Sequence, residues 1–139
     1  MKRLISLFLL TVCTAGCATI HRSTRYNGAR IENGDEPLET VEIENTGWML
    51  FKCLPIASGD PARPNSGACR WFTDTVTLEN NIKLFDLERQ RLHTKRFINL
   101  ASRNTEETFL FVLLTRNSYH TSAVLLKDDA PAAASKASK

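Results

Sequence analysis

Residues Val41 to Ile56 read Val-Glu-Ile-Glu-Asn-Thr-Gly-Trp-Met-Leu-Phe-Lys-Cys-Leu-Pro-Ile and hold the clearest strand pattern of the chain. Val41 and Ile43 alternate with glutamates, which is the period of a strand with one buried face. Asn-Thr-Gly at residues 45–47 then predicts a turn. The nearly continuous apolar run of residues 48–56 predicts a second, more buried strand. The stretch therefore predicts a hairpin that begins an antiparallel sheet.

Beyond this hairpin, residues 77–95 are predicted to form a helix. Leu78, Ile82, Phe85 and Leu92 fall at helical spacing on one narrow stripe. A threonine at position 75 or 77 is the residue type whose side chain caps the first amides of a helix. Because a helix with a single apolar stripe buries that stripe against another element, we expect it to cover one face of the sheet.

Three further strands are expected after the helix, at residues 97–101, 108–115 and 121–127, with polar turns between them. A short strand is also expected at residues 70–72. Short connections imply antiparallel neighbours. The predicted fold class is α+β: an antiparallel sheet of about four to five strands with one helix packed on one face, in the order β-β-α-β-β-β along the chain.

The beginning of the chain has the pattern of an export signal. Two basic residues, Lys2 and Arg3, precede the apolar run of residues 4–12. A lasting transmembrane helix needs about 20 apolar residues, so this run is too short to be one. The segment ends at residues 14–17, which read Thr-Ala-Gly-Cys.

This ending resembles the lipobox of bacterial lipoproteins, in which small residues precede an invariant cysteine. The resemblance implies that residues 1–16 are removed as a signal peptide and that the thiol of Cys17 carries a lipid anchor. Thr14 stands where this motif usually has leucine, so ordinary cleavage near Ala18, giving a secreted chain, stays open. The absence of aspartate after the cysteine implies, by the sorting rule of enteric bacteria, the outer membrane, facing the periplasm.

The chain is accordingly divided into four parts. They are a signal peptide (1–16), a lipidated tether (17–37), a single α+β domain (38–127) and a disordered tail (128–139). The tether is expected because the residues after Cys17 are polar and lack strand or helix periodicity. The tail is low in complexity. Its last residue, Lys139, resembles the lysine through which some outer-membrane lipoproteins are joined to peptidoglycan, which implies peptidoglycan as a partner. An envelope protein bound through the loop of residues 54–68 or an open sheet edge is the other expected partner.

The charge balance gives no reason to expect a nucleic-acid partner. The chain has 18 Lys and Arg against 15 Asp and Glu, and two of the basic residues belong to the export signal. A nearly neutral domain lacks the basic surface that nucleic-acid binding requires. The partner predicted instead is the membrane, reached through the lipid on Cys17.

Two cysteines remain for pairing once Cys13 leaves with the signal peptide and Cys17 is lipidated. In the oxidising envelope, Cys53 and Cys69 predict a disulfide. It would close the loop of residues 54–68, rich in proline and glycine, and add about 3 kcal/mol of stability. Two separate buried thiols are the alternative. A zinc site made of these cysteines and a histidine is less favoured, because the thiols would oxidise first.

No catalytic residue, metal site or cofactor is predicted. The chain has no Gly-rich phosphate loop, no Cys-x-x-Cys and no Gly-x-Ser-x-Gly elbow. His93 is expected on the helix surface, and His120 is expected beside Tyr119 in a turn. The acids between residues 32 and 44 are expected to lie along a solvated strand edge.

Two tryptophans, Trp48 and Trp71, flank the cysteine pair. They are expected to pack on the disulfide as core, and an exposed aromatic contact patch is the alternative. Residues 45–48 (Asn-Thr-Gly-Trp) and 97–100 (Phe-Ile-Asn-Leu) resemble segments of small envelope lipoproteins of unknown function, which implies no catalytic residues.

These observations together predict an envelope lipoprotein that acts as a non-catalytic binding or assembly module and is not an enzyme. The alternative is a small envelope enzyme or metal-binding protein. Its site would have to combine His120, Tyr119 and nearby acids.

Overall fold

The computed structural model describes residues 17–25, 31, 35–109 and 113–128. The signal peptide predicted at residues 1–16, and Lys139 with nearly all of the predicted tail, lie outside these ranges. Seven elements are described in chain order, namely β1 (Ala18–Ser23), β2 (Pro37–Leu50), β3 (Leu54–Gly59), β4 (Cys69–Trp71), α1 (Leu78–Leu92), β5 (Phe97–Phe109) and β6 (Leu114–Leu126).

The strands form one six-stranded antiparallel sheet with the order β4-β3-β2-β6-β5. The central strand, β2, pairs along its whole length with β6. Its other edge is shared, because residues 40–45 pair with β1 and residues 47–50 pair with β3. The structure thus confirms the predicted antiparallel sheet with a helix, and the sheet has six strands where four to five were expected.

Helix α1 begins and ends by identifiable caps. The hydroxyl of Thr77 accepts a hydrogen bond from the amide of Asn80 at 3.3 Å. At the other end, His93 adopts a left-handed conformation with φ +54°, and its amide donates to the carbonyl of Gln90. The predicted helix is therefore confirmed, but it ends three residues earlier than residue 95.

The helix packs on β2 and β6 over a small core. The buried apolar side chains of this core come from β1, β2, α1 and β6, and they are Ile20, Val41, Ile43, Leu84, Phe85, Ala123 and Leu125. A polar contact continues the same interface. The amide of Asn81, which is fully buried, donates to the carbonyl of Tyr119 at 2.9 Å and to the hydroxyl of Thr121 at 3.2 Å. No helix of the described ranges is long and apolar enough to cross a membrane.

The predicted tether is wrong for residues 18–23, which form β1. Ala18 and Ile20 are buried, Ile20 in the core beneath the helix, while Thr19 and His21 face the other side of the sheet. This two-residue alternation is only four residues long, and the strand that stabilises it begins some 20 residues later. A strand of this kind gives little signal in the local sequence because its stability comes from a distant partner.

The turn predicted at residues 45–47 is also wrong, because β2 runs straight through it. Gly47 serves close packing there, since a Cβ atom would lie 2.7 Å from a methyl group of Val76. The chain turns instead at Phe51 and Lys52, with φ angles of +51° and +62°, and the amide of Cys53 donates to the carbonyl of Leu50 at 3.2 Å. Positive φ at two large residues is unusual, so this turn could not be predicted from the sequence.

The three strands predicted after the helix are two long ones, β5 and β6, and four strands precede the helix. The corrected order is β-β-β-β-α-β-β. Residues 102–107 and 117–120 were predicted as polar turns, but they are paired across β5 and β6. Their polarity reflects the edge position of β5, whose residues are mostly exposed.

Candidate functional site

One face of the sheet is covered by α1, and the other face is not covered by any element of the described chain. We call this second face the open face. Side chains alternate along a strand, so paired residues share a face. The open face carries Thr19 and His21 of β1, Glu44, Thr46, Trp48 and Leu50 of β2, Leu114, Arg116, Ser118 and His120 of β6, and Phe109 of β5.

Cys17, the predicted lipid attachment site, lies at the start of this face. Its carbonyl oxygen accepts a hydrogen bond from the amide of Thr46 at 3.0 Å, so Cys17 is joined to β2 at the residue immediately before β1. The residues that follow are held on their other side by Asn65. The amide of Asn65 donates to the carbonyl of Ala18 at 2.8 Å, and its side-chain oxygen accepts from the amide of Ile20 at 2.8 Å.

Gly59, at the end of β3, lies directly against this segment. A Cβ atom on Gly59 would lie 2.3 Å from the nitrogen of Ala18 and 2.4 Å from the carbonyl carbon of Cys17. Contacts that short with backbone atoms cannot be relieved by moving a side chain. The close approach of β3 to the Cys17 segment therefore requires glycine at this position.

An open cavity of about 360 Å³ extends from Cys17 across the open face. It is lined by Cys17, Thr19, His21, Glu44, Thr46, Trp48, Phe109 and Arg116. The side chain of Cys17 is partly exposed and is not part of a disulfide. The thiol is thus placed in a cavity whose walls come from four strands or their immediate ends.

The polar part of the open face is organised around Arg116. Its guanidinium lies 3.8 Å from the carboxylate of Glu44 and 3.6 Å from that of Glu107. The imidazole of His120 is 3.9 Å from the same Glu44 carboxylate. Among the described residues, neither the Nε atom of Arg116 nor the indole nitrogen of Trp48 has a hydrogen-bond partner, although both atoms are buried. Two unpaired donors thus lie on side chains that line the cavity.

The apolar part of the open face begins at Trp48. The rings of Trp48 and Phe109 have centroids 5.6 Å apart. Further along the same strands, Leu50 pairs with Leu114, which in turn pairs with Phe109. Cys17 therefore lies at the boundary between a polar half of the open face, with His21 and Glu44, and an apolar half.

The structure does not bring together the two cysteines predicted to form a disulfide. Cys53 directly precedes β3, whereas Cys69 pairs with Gly59 at the other end of that strand. Six residues of extended strand span about 20 Å, and disulfides need Cα atoms within about 7 Å. The two are not bonded to one another. The disulfide stays a prediction, and forming it would require β3 to leave the sheet.

The loop that the disulfide was expected to hold is organised by the buried carboxylate of Asp60. It accepts hydrogen bonds from Arg63 and Arg70, each at 3.1 Å, and from the amide of Ala62 at 3.2 Å. Burial raises the pKa of Asp60, but these hydrogen bonds and the two guanidinium charges outweigh it, and the pKa lies below its usual value. Residues 54–59 of the predicted loop are strand β3.

The remaining predicted residues are dispersed. Tyr119 and His120 are neighbours in β6, so their side chains point to opposite faces of the sheet. His93 caps the helix and is exposed, as expected. In the described ranges, no three His, Cys, Asp or Glu residues are grouped as metal ligands would be. The site combining His120, Tyr119 and acids, which the enzyme alternative requires, is not assembled.

The two tryptophans take different positions. Trp48 is half-buried on the open face, and Trp71 is exposed next to Phe72, with ring centroids 6.3 Å apart. Neither packs on a disulfide. Residues that the sequence did not single out, Gly59 and Asn65, prove to position the Cys17 segment. Both residues are 40 or more positions away in the sequence from the residues that they contact, so no local pattern indicates their role.

No protein-family model matches this chain, and neither a curated protein nor a solved structure does. A functional proposal therefore has to rest on the chain's own sequence and on the geometry around Cys17.

Proposed function

We propose that this protein is a lipid-anchored module of the bacterial cell envelope, attached through the thiol of Cys17, and that it acts by binding or assembly without catalysis. The observation that carries the proposal is the position of Cys17. It follows a segment with the pattern of an export signal, and it opens into a cavity on the open face. The motif of residues 14–17 supplies the chemistry, because the thiol is the group that receives the lipid.

The anchor in this proposal has no spacer. Cys17 is hydrogen-bonded to Thr46, and Ala18 is already buried. The lipid is therefore attached directly beside the sheet, with no flexible residues between them. A domain attached in this way is held close to the bilayer. This differs from the tethered arrangement that the sequence predicted, in which 20 flexible residues would separate the domain from the headgroups.

The non-catalytic part of the proposal is supported by how the open face uses its polar groups. The carboxylate of Glu44 serves as a partner for Arg116, and Tyr119 is directed away from His120. A general acid and base would have to converge on one point of a substrate. The open face instead offers a broad surface suited to contact with a partner.

The test is metabolic labelling with a clickable palmitate analogue in the bacterium that expresses the chain. The wild type is expected to be labelled and to sediment with membranes, and Cys17→Ala is expected to lose both properties. Cys13→Ala is the matched control, since it removes a neighbouring cysteine of the export signal and should keep the label. Label retained in Cys17→Ala, or a wild type found unlabelled in the soluble fraction, would reject the anchor.

Separation of inner and outer membranes on a density gradient extends the same experiment to location. The proposed outer-membrane attachment predicts that the labelled protein moves with outer-membrane markers.

For the peptidoglycan alternative, walls digested with muramidase should yield a C-terminal peptide in which Lys139 carries a muropeptide. Recovery of the free peptide alone would remove that alternative.

A further inference from the structure

One end of the sheet carries a row of exposed apolar side chains. They are Phe51, Leu54, Phe72, Phe109 and Leu113, and we call this row the apolar tip. Phe51 is 56% exposed and Phe72 is 79% exposed. Soluble domains expose single apolar residues commonly, but contiguous exposed patches mark surfaces that meet a partner or a membrane.

The row follows from the pairing of the strands: Phe51, Leu54, Phe109 and Leu113 lie at or beside strand ends, and Phe72 directly follows β4 on the neighbouring edge. The amide of Phe51 donates to the carbonyl of Leu113 at 3.0 Å, which joins the β2–β3 turn to the start of β6. The amide of Phe72 donates to the carbonyl of Ile56 at 3.0 Å, two residues from Leu54. Five strands lie side by side from β4 to β5, at a spacing of about 4.8 Å, so the tip is about 19 Å wide.

The opposite end of the sheet is charged. The ammonium of Lys127 lies 2.8 Å from the carboxylate of Glu36, and the guanidinium of Arg96 lies 2.5 Å from that of Asp35. Asp128 accepts a hydrogen bond from the amide of Lys95 at 2.9 Å. The sheet is therefore amphipathic along its strands, with a charged end and an apolar end.

Two residues of the tip hold large rings in an unfavourable backbone conformation. Phe51 has φ +51° and Phe72 has φ +54°. Asparagine or glycine would adopt this conformation at lower cost, because the left-handed region is sterically unfavourable for most residues with a side chain. Neither ring is buried in compensation. Exposed rings at strained positions indicate that the rings serve a contact outside the domain.

We propose that the apolar tip enters the interface of a lipid bilayer and is the second membrane contact of this protein. The choice of a bilayer as the occupant rests on the proposed function, because it depends on the lipid of Cys17. The apolar half of the open face leads from Cys17 over Trp48 and Phe109 to the tip. A lipid on Cys17 thus follows an apolar surface to the same end of the sheet.

The distances agree with this arrangement. Thr46, which is bonded to Cys17, is five residues from Phe51 along β2, or about 17 Å. An acyl chain spans one leaflet, about 15 Å of hydrocarbon. The glycerol and the first methylenes of the lipid can therefore cover Trp48 and Phe109 while the chain ends lie in the bilayer that the tip contacts. The reverse orientation would press the charged end onto the membrane.

The chemistry of the tip fits a bilayer interface. Aromatic rings are enriched at the headgroup level, where an apolar body and a hydrated surrounding are both satisfied. Charged side chains also lie beside the tip, among them Lys52 and Glu106, which form an ion pair at 2.5 Å and are half-exposed. A lysine at such a border can keep its ammonium in water while its methylenes lie against lipid.

The test uses the chain that begins at residue 17 and carries Cys17→Ser, which retains every described strand and the helix and cannot be lipidated. It is mixed with vesicles of phosphatidylethanolamine and phosphatidylglycerol and sedimented. Both tryptophans of the chain, Trp48 and Trp71, neighbour the tip. Binding is therefore expected to shift their emission to the blue, and brominated lipids are expected to quench it.

The decisive variant is Phe51→Asn with Phe72→Asn. Asparagine tolerates the left-handed conformation, so the domain should be at least as stable as the parent while its vesicle partition falls about tenfold. The matched control is Leu87→Asn with Leu100→Asn, which removes two side chains that are 53% and 48% exposed elsewhere. Its partition should stay within twofold of the parent.

Equal partition of the tip variant and the parent would overturn the proposal. So would a parent chain that forms dimers which the tip variant loses, because the tip would then be an interface between copies. Sedimentation velocity without vesicles gives this second readout. Since the chain is unlipidated, the outcome is independent of the anchor. Palmitate labelling without vesicle binding rejects the tip alone, and the reverse rejects the anchor alone.

Discussion

The backbone amide of Thr46 donates a hydrogen bond to the carbonyl oxygen of Cys17 at 3.0 Å. The residue proposed to carry the lipid therefore directly precedes β1 and is hydrogen-bonded to the sheet. Any force on the anchor is transmitted directly to β2, the strand that pairs with three others. Stability of the fold and placement of the anchor are consequently linked, and this linkage can be tested by substitution.

Gly59→Ala is expected to be strongly destabilising. Its new methyl group would clash with backbone atoms of Cys17 and Ala18, so β1 or β3 has to shift. Overpacking of this kind costs about 3 kcal/mol. Urea denaturation gives the free energy of unfolding. Gly67→Ala is the control: Gly67 has φ +68° but open space around it, so its loss should be about 1 kcal/mol. Equal effects of the two substitutions would show that β3 does not contact the Cys17 segment.

Arg22→Ala is expected to loosen β1 from the helix. The guanidinium of Arg22 forms a bidentate ion pair with the buried carboxylate of Glu88. Its two nitrogens donate to the two carboxylate oxygens at 2.8 and 2.7 Å. Removing one partner leaves the carboxylate with Arg91 alone. Because Arg22 is itself partly exposed, we expect a loss of about 2 kcal/mol rather than the full cost of a broken buried pair.

Hydrogen exchange of the β1 amides measures this effect directly. Arg22→Ala should speed exchange at Ile20 more than at Leu125, which lies in the centre of the sheet. Arg25→Ala is the control, because the side chain of Arg25 makes no ion pair with a described residue. If both substitutions leave exchange at Ile20 unchanged, residues 18–23 behave as the tether that the sequence predicted.

Stability is expected to fall in acid through two carboxyl groups. The hydrogen bond from Arg22 lowers the pKa of Glu88 against the opposing effect of burial, and Arg63, Ala62 and Arg70 lower that of Asp60 despite its burial. A carboxyl with a lower pKa in the folded state stabilises the fold above its ordinary value of about 4. This contribution is lost as the pH falls from there through the lowered pKa.

Thermal unfolding between pH 7 and pH 2 tests the assignment. The double variant Asp60→Asn with Glu88→Gln should be less stable than the wild type at pH 7, and the difference should shrink as the pH falls below 4. A constant difference over the whole range would show that these carboxyls keep ordinary pKa values in the folded protein.

The cysteines offer a test that separates the structure from the sequence prediction. If β3 keeps the pairing that places Cys53 and Cys69 at its opposite ends, both thiols react when the chain is denatured without reductant, whereas the predicted disulfide leaves neither thiol to react. The chain that begins at residue 17 with Cys17→Ser is the suitable material, because Cys53 and Cys69 are then its only cysteines. A count of no thiols would mean that the predicted disulfide forms and that β3 pairs differently.

The parts of the fold that the sequence predicted are those encoded locally. The first half of β2 is predicted from the alternation of Val41 and Ile43, and α1 from a stripe that recurs every three or four residues. The turn at Phe51 and Lys52 could not be predicted, because it lacks the asparagine and glycine that favour positive φ. Gly47, by contrast, is a residue type that favours turns, so a turn was predicted there. In the structure this glycine lies within β2 and permits close packing with Val76.

The candidate site also combines a feature encoded locally in the sequence with features that arise only from the fold. Cys17 is singled out by the sequence because its motif is local, and its lipidation stays a prediction. The open face and the apolar tip are not, because they arise where strands distant in the sequence come into register. Phe51, Phe72 and Phe109 are separated by 20 residues or more and lie in a row only after β2, β3, β4, β5 and β6 pair. No short pattern reports such a surface.

The central claim is that the mature protein begins at Cys17 and carries lipid there. Mass spectrometry of the N-terminal tryptic peptide from isolated membranes tests it most directly, because trypsin cleaves after Arg22 and releases residues 17–22, Cys-Ala-Thr-Ile-His-Arg. We expect this peptide to carry the mass of attached acyl chains on Cys17. A peptide without lipid, beginning after Ala18 or reaching back into residues 1–16, would contradict it.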